Sequence, residues 1–185
     1  MLEISRSEEG IFQKEFFLME KLLRESLIDV LEMAVPSLVE KLCRTENQEA
    51  FRSLLKDHGI FIEMTGRYCH SPFCHDQKKV QQILRNLLSN ALKYRRERIM
   101  ISIRGDWELF VSVEDDGLGI PQGEEETIFN RFVRLKDKRR GDVPGYGLGL
   151  TGVKALVEAM NGEITLTSRE GAGTCFLVRI PPFTS

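Results

Sequence analysis

The stretch Gly145-Tyr146-Gly147-Leu148-Gly149-Leu150 limits the possible folds of this chain more than any other feature. Its alternating glycines leave the backbone without Cβ atoms at three positions, so a ligand can approach closely. Apolar residues then recur at helical spacing, at Leu150, Val153, Leu156, Val157 and Met160. A glycine-rich loop that opens a helix presents backbone N–H groups and the positive end of the helix dipole, which together accept phosphate. The alternative is an ordinary turn before a helix, and the pattern alone leaves both interpretations open.

Composition restricts the partners and the cellular setting. The chain has 185 residues, 42% of them hydrophobic, which suits a globular domain with a proper core. A formal net charge of −2 gives no broad basic field, so nucleic-acid binding is not expected and phosphate recognition must be local. No apolar run approaches the roughly 20 residues of a membrane span, and the first residues lack a signal-peptide core. We expect a cytoplasmic chain without membrane contact of its own, although this leaves open a parent protein anchored at the inner face of the membrane.

The chain contains four cysteines, Cys43, Cys69, Cys74 and Cys175. They are too sparse for a disulfide scaffold, which favours a reducing compartment. Residues 69–75 hold two Cys and two His, but these ligands would have to close on one ion across Pro72. We expect a short strand and turn with partly buried thiols, and a metal site is the less favoured alternative.

Periodicity and capping residues predict the helices. We expect helices at residues 18–34, 37–43, 45–57 and 76–94 before the glycine-rich stretch and at 151–160 after it. Asn47 and Asp76 are the N-cap candidates of the third and fourth helices. Residues 127–133 predict a short helix or turn, and residues 134–144 a mobile polar loop.

Runs of β-branched and aromatic residues predict the strands. We expect them at residues 11–17, 60–64, 73–74, 98–104, 107–114, 163–168 and 174–180. Gly105 and Asp106 predict a tight hairpin between two of these strands. Residues 115–121 predict a turn outside either neighbouring element.

The predicted helix at residues 76–94 carries two amide side chains on one face. Asn86 and Asn90 are four residues apart, hence one turn apart, within an apolar stripe. A buried amide without a partner costs roughly 1–3 kcal/mol, so one interpretation is a hydrogen bond from the helix to a loop. The other interpretation is Mg²⁺, because an Asn oxygen suits a hard cation whose remaining ligands are waters and phosphates. Lys93, three residues on, can reach the same phosphates as a point charge.

Residues 115–120 read Asp-Asp-Gly-Leu-Gly-Ile. A carboxylate at the end of a strand, such as Asp115, can accept a hydrogen bond from an exocyclic amine. Gly117 and Gly119 leave the backbone bare enough for a flat ring to lie on it. By itself this segment is an ordinary loop, but two glycine loops and an Asn-bearing helix in this order are more specific.

Several motifs together resemble the ATP-binding catalytic domain of sensor histidine kinases, a member of the Bergerat-fold or GHKL superfamily that includes gyrase, the Hsp90 chaperones and the MutL proteins. The matching segments come in the family's order and are QQILRNLLSNALKY at residues 81–94, DDGLGI at 115–120, IFNRFVR at 128–134, GYGLGL at 145–150 and GAGT at 171–174. The resemblance covers residues 60–181. Residues 2–12 also resemble the segment that links the family's dimerisation helix to this domain.

The resemblance implies a two-layer α/β (α+β) sandwich, in which a mixed, mainly antiparallel sheet packs on helices. ATP and Mg²⁺ are the implied cofactors. Asn90 is implied as the Mg²⁺ ligand with Asn86 nearby, and Lys93 as a phosphate contact. Tyr94 would stack on the adenine and Asp115 would bind its N6 amine.

Further roles follow from the later motifs. Gly117 and Gly119 would border the adenine, and Thr174 would help to bind the base through water. The hinge of a lid on the phosphate side is implied for Gly145, Gly147, Leu148, Gly149 and Leu150. Arg131 or Arg134 would reach the γ-phosphate, and the lid itself would be residues 136–144.

The implied activity is that of an ATP-dependent protein histidine kinase, but His58, His70 and His75 do not match the family's phosphoacceptor motif. The acceptor is therefore expected on an upstream dimerisation and histidine-phosphotransfer domain outside this chain, with a response regulator as a further partner and a homodimeric parent. Residues 1–17 would be a linker remnant and a short strand, residues 18–185 the ATP-binding domain, and residues 36–57 a helical insertion.

Two other functions remain as alternatives. One is an ATP-gated binding module or degenerate kinase, which the intact motifs disfavour. The other is an anti-sigma-type serine kinase on the same fold, which the N-terminal linker disfavours. In the ATP-hydrolysing relatives a Glu takes the place of Asn86, and because an amide is a poor base, the resemblance favours transfer to a protein.

Overall fold

A computed structural model of the chain describes residues 12–129 and 149–183. A five-stranded sheet forms one layer and helices form the other, as the resemblance implied. The helices are α1 (Met19–Ala34), α2 (Pro36–Cys43), α3 (Gln48–Lys56), α4 (Gln77–Tyr94), α5 (Glu125–Ile128) and α6 (Gly149–Ala159), with a 3-10 turn at Arg67–Cys69. The strands are β1 (Glu15–Phe17), β2 (Ile60–Thr65), β3 (Phe73–His75), β4 (Ile99–Arg104), β5 (Leu109–Asp115), β6 (Glu163–Arg169) and β7 (Gly173–Ile180).

The main sheet has the strand order β2-β4-β5-β7-β6. β2 runs parallel to β4, and the other neighbours are antiparallel, so the sheet is mixed and mainly antiparallel as expected. Side chains alternate between the two faces of each strand, and the face toward the helices carries the core. In β5, for example, Leu109, Val111 and Val113 are buried against the helix layer, whereas Phe110 and Ser112 are only partly covered.

Helix α4 lies at the centre of the helix layer, against α1, α6 and β5. Its N-terminus is fixed by Asp76, whose Oδ1 accepts a hydrogen bond from the backbone N–H of Lys79 at 3.0 Å. Its apolar stripe is buried and comprises Val80, Ile83, Leu84, Leu87, Leu88 and Ala91. Burial of each large aliphatic side chain stabilises the fold by about 2 kcal/mol. The predicted cap of α3 is also confirmed, since Asn47 Oδ1 accepts from the N–H of Glu49 at 2.7 Å.

The two short strands β1 and β3 pair with each other in a separate two-stranded sheet. Phe17 lies opposite Phe73, and their rings meet edge to face with centroids 5.9 Å apart. The backbone N–H of Gln13 donates to Asp76 Oδ2 at 2.9 Å, so the same carboxylate holds the start of α4 and the segment before β1.

Two predictions about the ends of β5 were wrong. The tight hairpin at Gly105 and Asp106 is instead a four-residue loop, because β4 ends at Arg104 and β5 begins at Leu109. Long-range contacts hold this loop open: Asp106 Oδ1 accepts from the N–H of Arg67, and Tyr68 Oη donates to the carbonyl of Trp107. At the other end of β5, Asp115 was expected in a turn but is the last residue of the strand, paired with Ile99 and Thr174.

The strand predicted at residues 11–17 is shorter in the structure, where β1 spans Glu15–Phe17. Most of the other boundaries lie within two residues of the predictions. The short helix expected at residues 127–133 is α5, which ends at Ile128, and residues 130–133 lie outside the described part of the chain. Within residues 12–129 and 149–183, no helix combines the length and the apolar character needed to cross a membrane.

Candidate active site

The predicted base-binding residues come together at one edge of the sheet, where β5 ends, β7 begins and α4 ends. Asp115 and Thr174 lie opposite each other on β5 and β7, and they are 6% and 8% exposed. Tyr94 is the last residue of α4. The loop after Asp115 passes so close to α4 that a Cβ on Gly117 would lie 2.3 Å from the carbonyl oxygen of Tyr94. The fold therefore brings together the Asp115 carboxylate, the Thr174 hydroxyl, the last residue of α4 and a bare stretch of backbone.

Asp115 is a buried hydrogen-bond acceptor. Its Oδ1 accepts the N–H of Gly117 at 2.8 Å. Burial raises the pKa of Asp115 above the ordinary value of 3.8, backbone hydrogen bonds from Gly117 and Thr174 oppose the rise, and the nearby charges of Asp116 and Glu114 add to it. A carboxylate held this way is suited to accept a further hydrogen bond from a ligand amine.

The first glycine loop is pressed between α4 and the β6–β7 turn. Gly119 has φ +69°, and a Cβ there would lie 2.1 Å from the carbonyl oxygen of Arg169. On the other side, the N–H of Gly171 donates to the carbonyl of Leu118 at 2.7 Å. The loop therefore holds its shape through backbone contacts that a side chain at Gly119 would displace.

Asn86 and Asn90 lie on α4 before its last residue, Tyr94. Asn86 is 6% exposed, and its Nδ2 donates to the carbonyl of Gln82 at 2.8 Å, within the helix and not to a loop, which was one of the two interpretations of this amide. Asn90 is half-buried one turn later. Lys93 Nζ lies 5.3 Å from the ring centroid of Tyr94, whose side chain is 43% exposed. The row from Asn90 through Lys93 to Tyr94 thus runs along one side of the helix to the base-binding residues.

Part of the predicted phosphate side lies beyond the described residues. Arg131, Arg134, Gly145, Gly147, Leu148 and the predicted lid at residues 136–144 belong to that part of the chain. Gly149 opens α6 with φ +65°, and Leu150 is partly buried against the core. The roles of these residues stay predictions.

Residues 75–184 match the family model described as histidine kinase-, DNA gyrase B-, and HSP90-like ATPase. The chain belongs to this ATPase family. It is 35% identical over 146 residues to the sensor histidine kinase WalK of Bacillus subtilis, a match that covers 76% of this chain and 22% of WalK. The chain therefore spans about a fifth of that relative's length.

Solved structures agree on the fold. The mycobacterial sensor histidine kinase MprB superposes with a TM-score of 0.61 at 22% identity, over 95% of this chain and all of that one. Full-length ShkA in complex with AMPPNP gives a TM-score of 0.66 at 22% identity, over 95% of this chain and 33% of that one. The family model thus shows an ATPase-family domain, and the structures show its fold; the relative and the neighbours named above are sensor histidine kinases.

Two residues that support the nucleotide loop of this ATPase domain were missed by the sequence analysis. Asp116 accepts hydrogen bonds from three consecutive backbone N–H groups, of Arg96, Glu97 and Arg98, at 2.9–3.1 Å from its Oδ1. It therefore ties the α4–β4 connection to the glycine loop. No local signal separates its role from that of Asp115.

The second is Ser168 of β6, which contacts Ile120, Gly173 and Thr174 through its hydroxyl. A signal for it was present in the sequence. Ile164, Leu166 and Ser168 occupy alternate positions, so Ser168 is a polar residue on the strand face that packs toward the core.

The Cys- and His-rich segment lies apart from this site. His75 is 3% exposed, its Nδ1 accepts from the N–H of Asp76 at 2.8 Å, and the rings of Phe12, Phe73 and Phe183 surround it. In the described part of the chain, no group of three or more His, Cys, Asp and Glu is arranged to hold a metal ion. His75 therefore packs β3 against Phe12 and Phe183.

A cavity of about 400 Å³ is found elsewhere, between α1, the α2–α3 connection and β2. None of the predicted site residues within 12–129 and 149–183 lines it. Apolar and charged side chains line it, among them Arg24, whose guanidinium lies 4.1 Å from the ring centroid of Phe51. The predicted base-binding residues Asp115 and Thr174 lie opposite each other at a different place, where β5 ends and β7 begins.

Proposed function

We propose that this chain is the catalytic domain of a sensor histidine kinase, which binds Mg²⁺-ATP and transfers the γ-phosphoryl group to a histidine on a dimerisation helix outside the chain. The proposal rests on one observation: Asp115 is buried opposite Thr174, and its Oδ1 accepts a hydrogen bond from the N–H of Gly117, next to the end of α4. Such a pair of acceptors over bare backbone suits the amine edge of adenine.

The base would lie across the first glycine loop. Asp115 would accept from the exocyclic amine, and Thr174 would act beside it directly or through water. Tyr94 has enough exposed ring to stack on the base. The absence of Cβ atoms at Gly117 and Gly119 would let the ring approach the backbone.

The triphosphate would extend from there along α4. Asn90 would provide an amide oxygen to Mg²⁺, and Lys93 a positive charge to the phosphates. The donor set fits, because Mg²⁺ on a nucleotide takes few protein ligands and prefers hard oxygens. When bound, the ion neutralises charge on the phosphates. The N-terminus of α6 at Gly149 and an arginine from Arg131 or Arg134 would complete the phosphate side.

Chemistry at such a site is mainly positioning and charge stabilisation. A nitrogen of the acceptor imidazole attacks the γ-phosphorus, the bond from that phosphorus to the bridging oxygen breaks, and ADP leaves. Asn86 supports transfer to a protein rather than to water. Its amide is committed to Gln82 and has no basic site with which to take a proton from water.

The wider assignments follow from this role. We propose that residues 1–17 connect the domain to an upstream dimerisation domain. Residues 36–57 would be a helical insertion. The parent protein would be a homodimer, cytoplasmic or anchored in the membrane, that passes the phosphoryl group to a response regulator. One helix of residues 36–57, α3, packs on the edge strand β2.

Phosphotransfer with a separately produced dimerisation domain tests the proposal. The chain is mixed with that domain and γ-labelled ATP, and acid-labile, alkali-stable label on the acceptor histidine is the expected product. Asn90→Ala should abolish the label and keep the circular dichroism spectrum. Gln81→Ala is the matched control, because this amide lies on the opposite side of α4 and should leave transfer unchanged. Tight ATP binding without any phosphohistidine would overturn the kinase assignment, and full transfer by Asn90→Ala would overturn the role of Asn90.

A further inference from the structure

Ser168 makes three contacts through one hydroxyl group. Its Oγ accepts the backbone N–H of Ile120 at 2.8 Å and donates to the carbonyl of Gly173 at 2.9 Å. The same oxygen lies 3.0 Å from Thr174 Oγ1, and the two residues are register partners on β6 and β7. Ser168 therefore joins the first glycine loop, the β6–β7 turn and the base-binding edge.

The number of hydroxyl hydrogens decides which residue donates in the hydrogen bond between Ser168 and Thr174. A serine hydroxyl has one hydrogen to donate and two lone pairs to accept with. The carbonyl of Gly173 can only accept, so the hydrogen of Ser168 is used there. The N–H of Ile120 takes one lone pair. The contact with Thr174 is then a hydrogen bond in which Thr174 donates its hydroxyl hydrogen to Ser168.

This direction fixes what Thr174 can offer to a ligand. Once its hydrogen is given to Ser168, Thr174 Oγ1 has only lone pairs left to offer to a ligand. Its cross-strand neighbour Asp115 is also an acceptor when ionised. The site then presents two adjacent acceptors, which pair with N–H or O–H hydrogens and repel a carbonyl oxygen in the same position.

We propose that Ser168 determines base specificity through Thr174: by taking up the threonine hydrogen, it makes the pocket select a 6-amino purine over a 6-oxo purine. Ser168 is a positioning residue, since it acts on the base only through Thr174. The inference rests on the proposed ATP site. It adds Ser168 to the site and gives a physical reason why the site would distinguish 6-amino from 6-oxo purines.

ATP and ITP form the pair of probes for this proposal, because ITP carries a carbonyl oxygen where ATP carries the amine. Dissociation constants for both are measured by calorimetry on the full 185-residue chain and on its variants. In the unsubstituted chain ATP should bind more tightly than ITP. In Ser168→Ala the threonine hydroxyl is free to rotate and donate, so the ATP-to-ITP affinity ratio should fall about tenfold.

Three further variants separate specificity from folding. Ser168→Thr keeps the hydroxyl, so its ATP-to-ITP affinity ratio should match that of the unsubstituted chain. Ser112→Ala removes a hydroxyl from the opposite face of the sheet and should leave the ratio unchanged. In a Thr174→Val chain, which has no hydroxyl left to orient, adding Ser168→Ala should not change the ratio further. If Ser168→Ala does not fold, Ser168→Cys takes its place, since a thiol is a weaker donor and acceptor of similar shape.

Each result decides between the two proposals. A fall in the ratio that Ser168→Thr reverses supports the inference. Equal weakening of ATP and ITP in Ser168→Ala, with the ratio unchanged, would mean that Ser168 only supports the loop and would overturn it. Tight ATP binding without discrimination against ITP in the unsubstituted chain would overturn the inference and leave the ATP site intact. Failure of that chain to bind either nucleotide would overturn the proposed function together with the inference.

Discussion

The carbonyl oxygen of Tyr94 occupies the space that a Cβ of residue 117 would need, at 2.3 Å from its ideal position. The end of α4 and the first glycine loop are therefore in direct backbone contact. The ring of Tyr94 and the loop that follows Asp115 keep a fixed relation because of this contact. Any side chain at position 117 would separate them.

Gly117→Ala is expected to destabilise the domain by about 1–3 kcal/mol through overpacking and to weaken ATP binding more than tenfold. The same Cβ would also lie 2.7 Å from Asp115 Oδ1. Thermal unfolding and calorimetric titration with ATP measure the two effects. Gly123→Ala is the control, because nothing lies within 4 Å of the added atom; its φ of +91°, unlike the φ of Gly117, lies in the left-handed region, so this variant carries backbone strain without a steric contact. Equal ATP affinity in both variants would contradict the contact argument.

Asp115→Asn is expected to weaken ATP binding by about 10- to 100-fold, because a charge-assisted acceptor is replaced by a group that also presents N–H hydrogens. The heat stability of the empty domain should not fall. The pKa of Asp115 is raised in the folded state, so its ionised form opposes folding at neutral pH and the amide removes that cost. Differential scanning calorimetry without nucleotide checks that the unfolding temperature of Asp115→Asn does not fall although its ATP affinity does.

The raised pKa of Asp115 also predicts that ATP affinity depends on pH. As the pH falls through the raised pKa of Asp115, above the ordinary value of 3.8, the carboxylate takes up a proton and ATP affinity should decrease. Asp115→Asn should lack this component, whereas Glu114→Gln, a change at the exposed neighbouring residue, should retain it. An identical pH profile for Asp115→Asn and the unsubstituted chain would refute the role of the carboxylate.

Asp116→Asn is expected to lower stability at neutral pH but not in acid. Partial burial raises the pKa of Asp116, yet hydrogen bonds from the N–H groups of Arg98, Glu97 and Arg96 outweigh that effect and hold it below 3.8. The ionised form is thus favoured by folding, and its contribution is present above pH 3.8 and lost as the pH falls through the folded pKa. Urea unfolding between pH 3 and 7 should show the variant and the parent converging in acid. A pH-independent difference would mean that charge is not involved.

His75→Phe is expected to reduce the loss of stability below neutral pH. Burial lowers the pKa of His75, and the neighbouring Asp76 only partly opposes this. The neutral ring is therefore favoured by folding, and stability should decline as the pH falls below 6.5 toward the folded pKa. Phenylalanine cannot be protonated and continues the aromatic packing of Phe12, Phe73 and Phe183. His70→Gln, at an exposed turn, should keep the original slope of Tm against pH, and a parent chain with no such slope would contradict the prediction.

Local signals predicted what depends on a few neighbouring residues. Asp76 and Asn47 cap the helices that they were expected to cap, because an N-cap needs only its own side chain and the next two or three N–H groups. The stripe on α4 is buried for the same local reason, since its spacing matches the helical period. The grouping of Asp115, Gly117 and Thr174 was expected from the resemblance, and their roles toward ATP remain predictions.

The sequence by itself determined the helices, most strands and the order of the motifs, since these follow from periodicity and capping within short segments. Only the tertiary structure decided that β1 pairs with β3, that Asp116 binds the N–H groups of residues 96–98, and that Ser168 meets Thr174 and Ile120. These contacts join residues up to about 60 positions apart, and no spacing rule connects them. The Gly105 loop shows the same limit: its dipeptide predicted a hairpin, but bonds from Arg67 and Tyr68 outweighed the local preference.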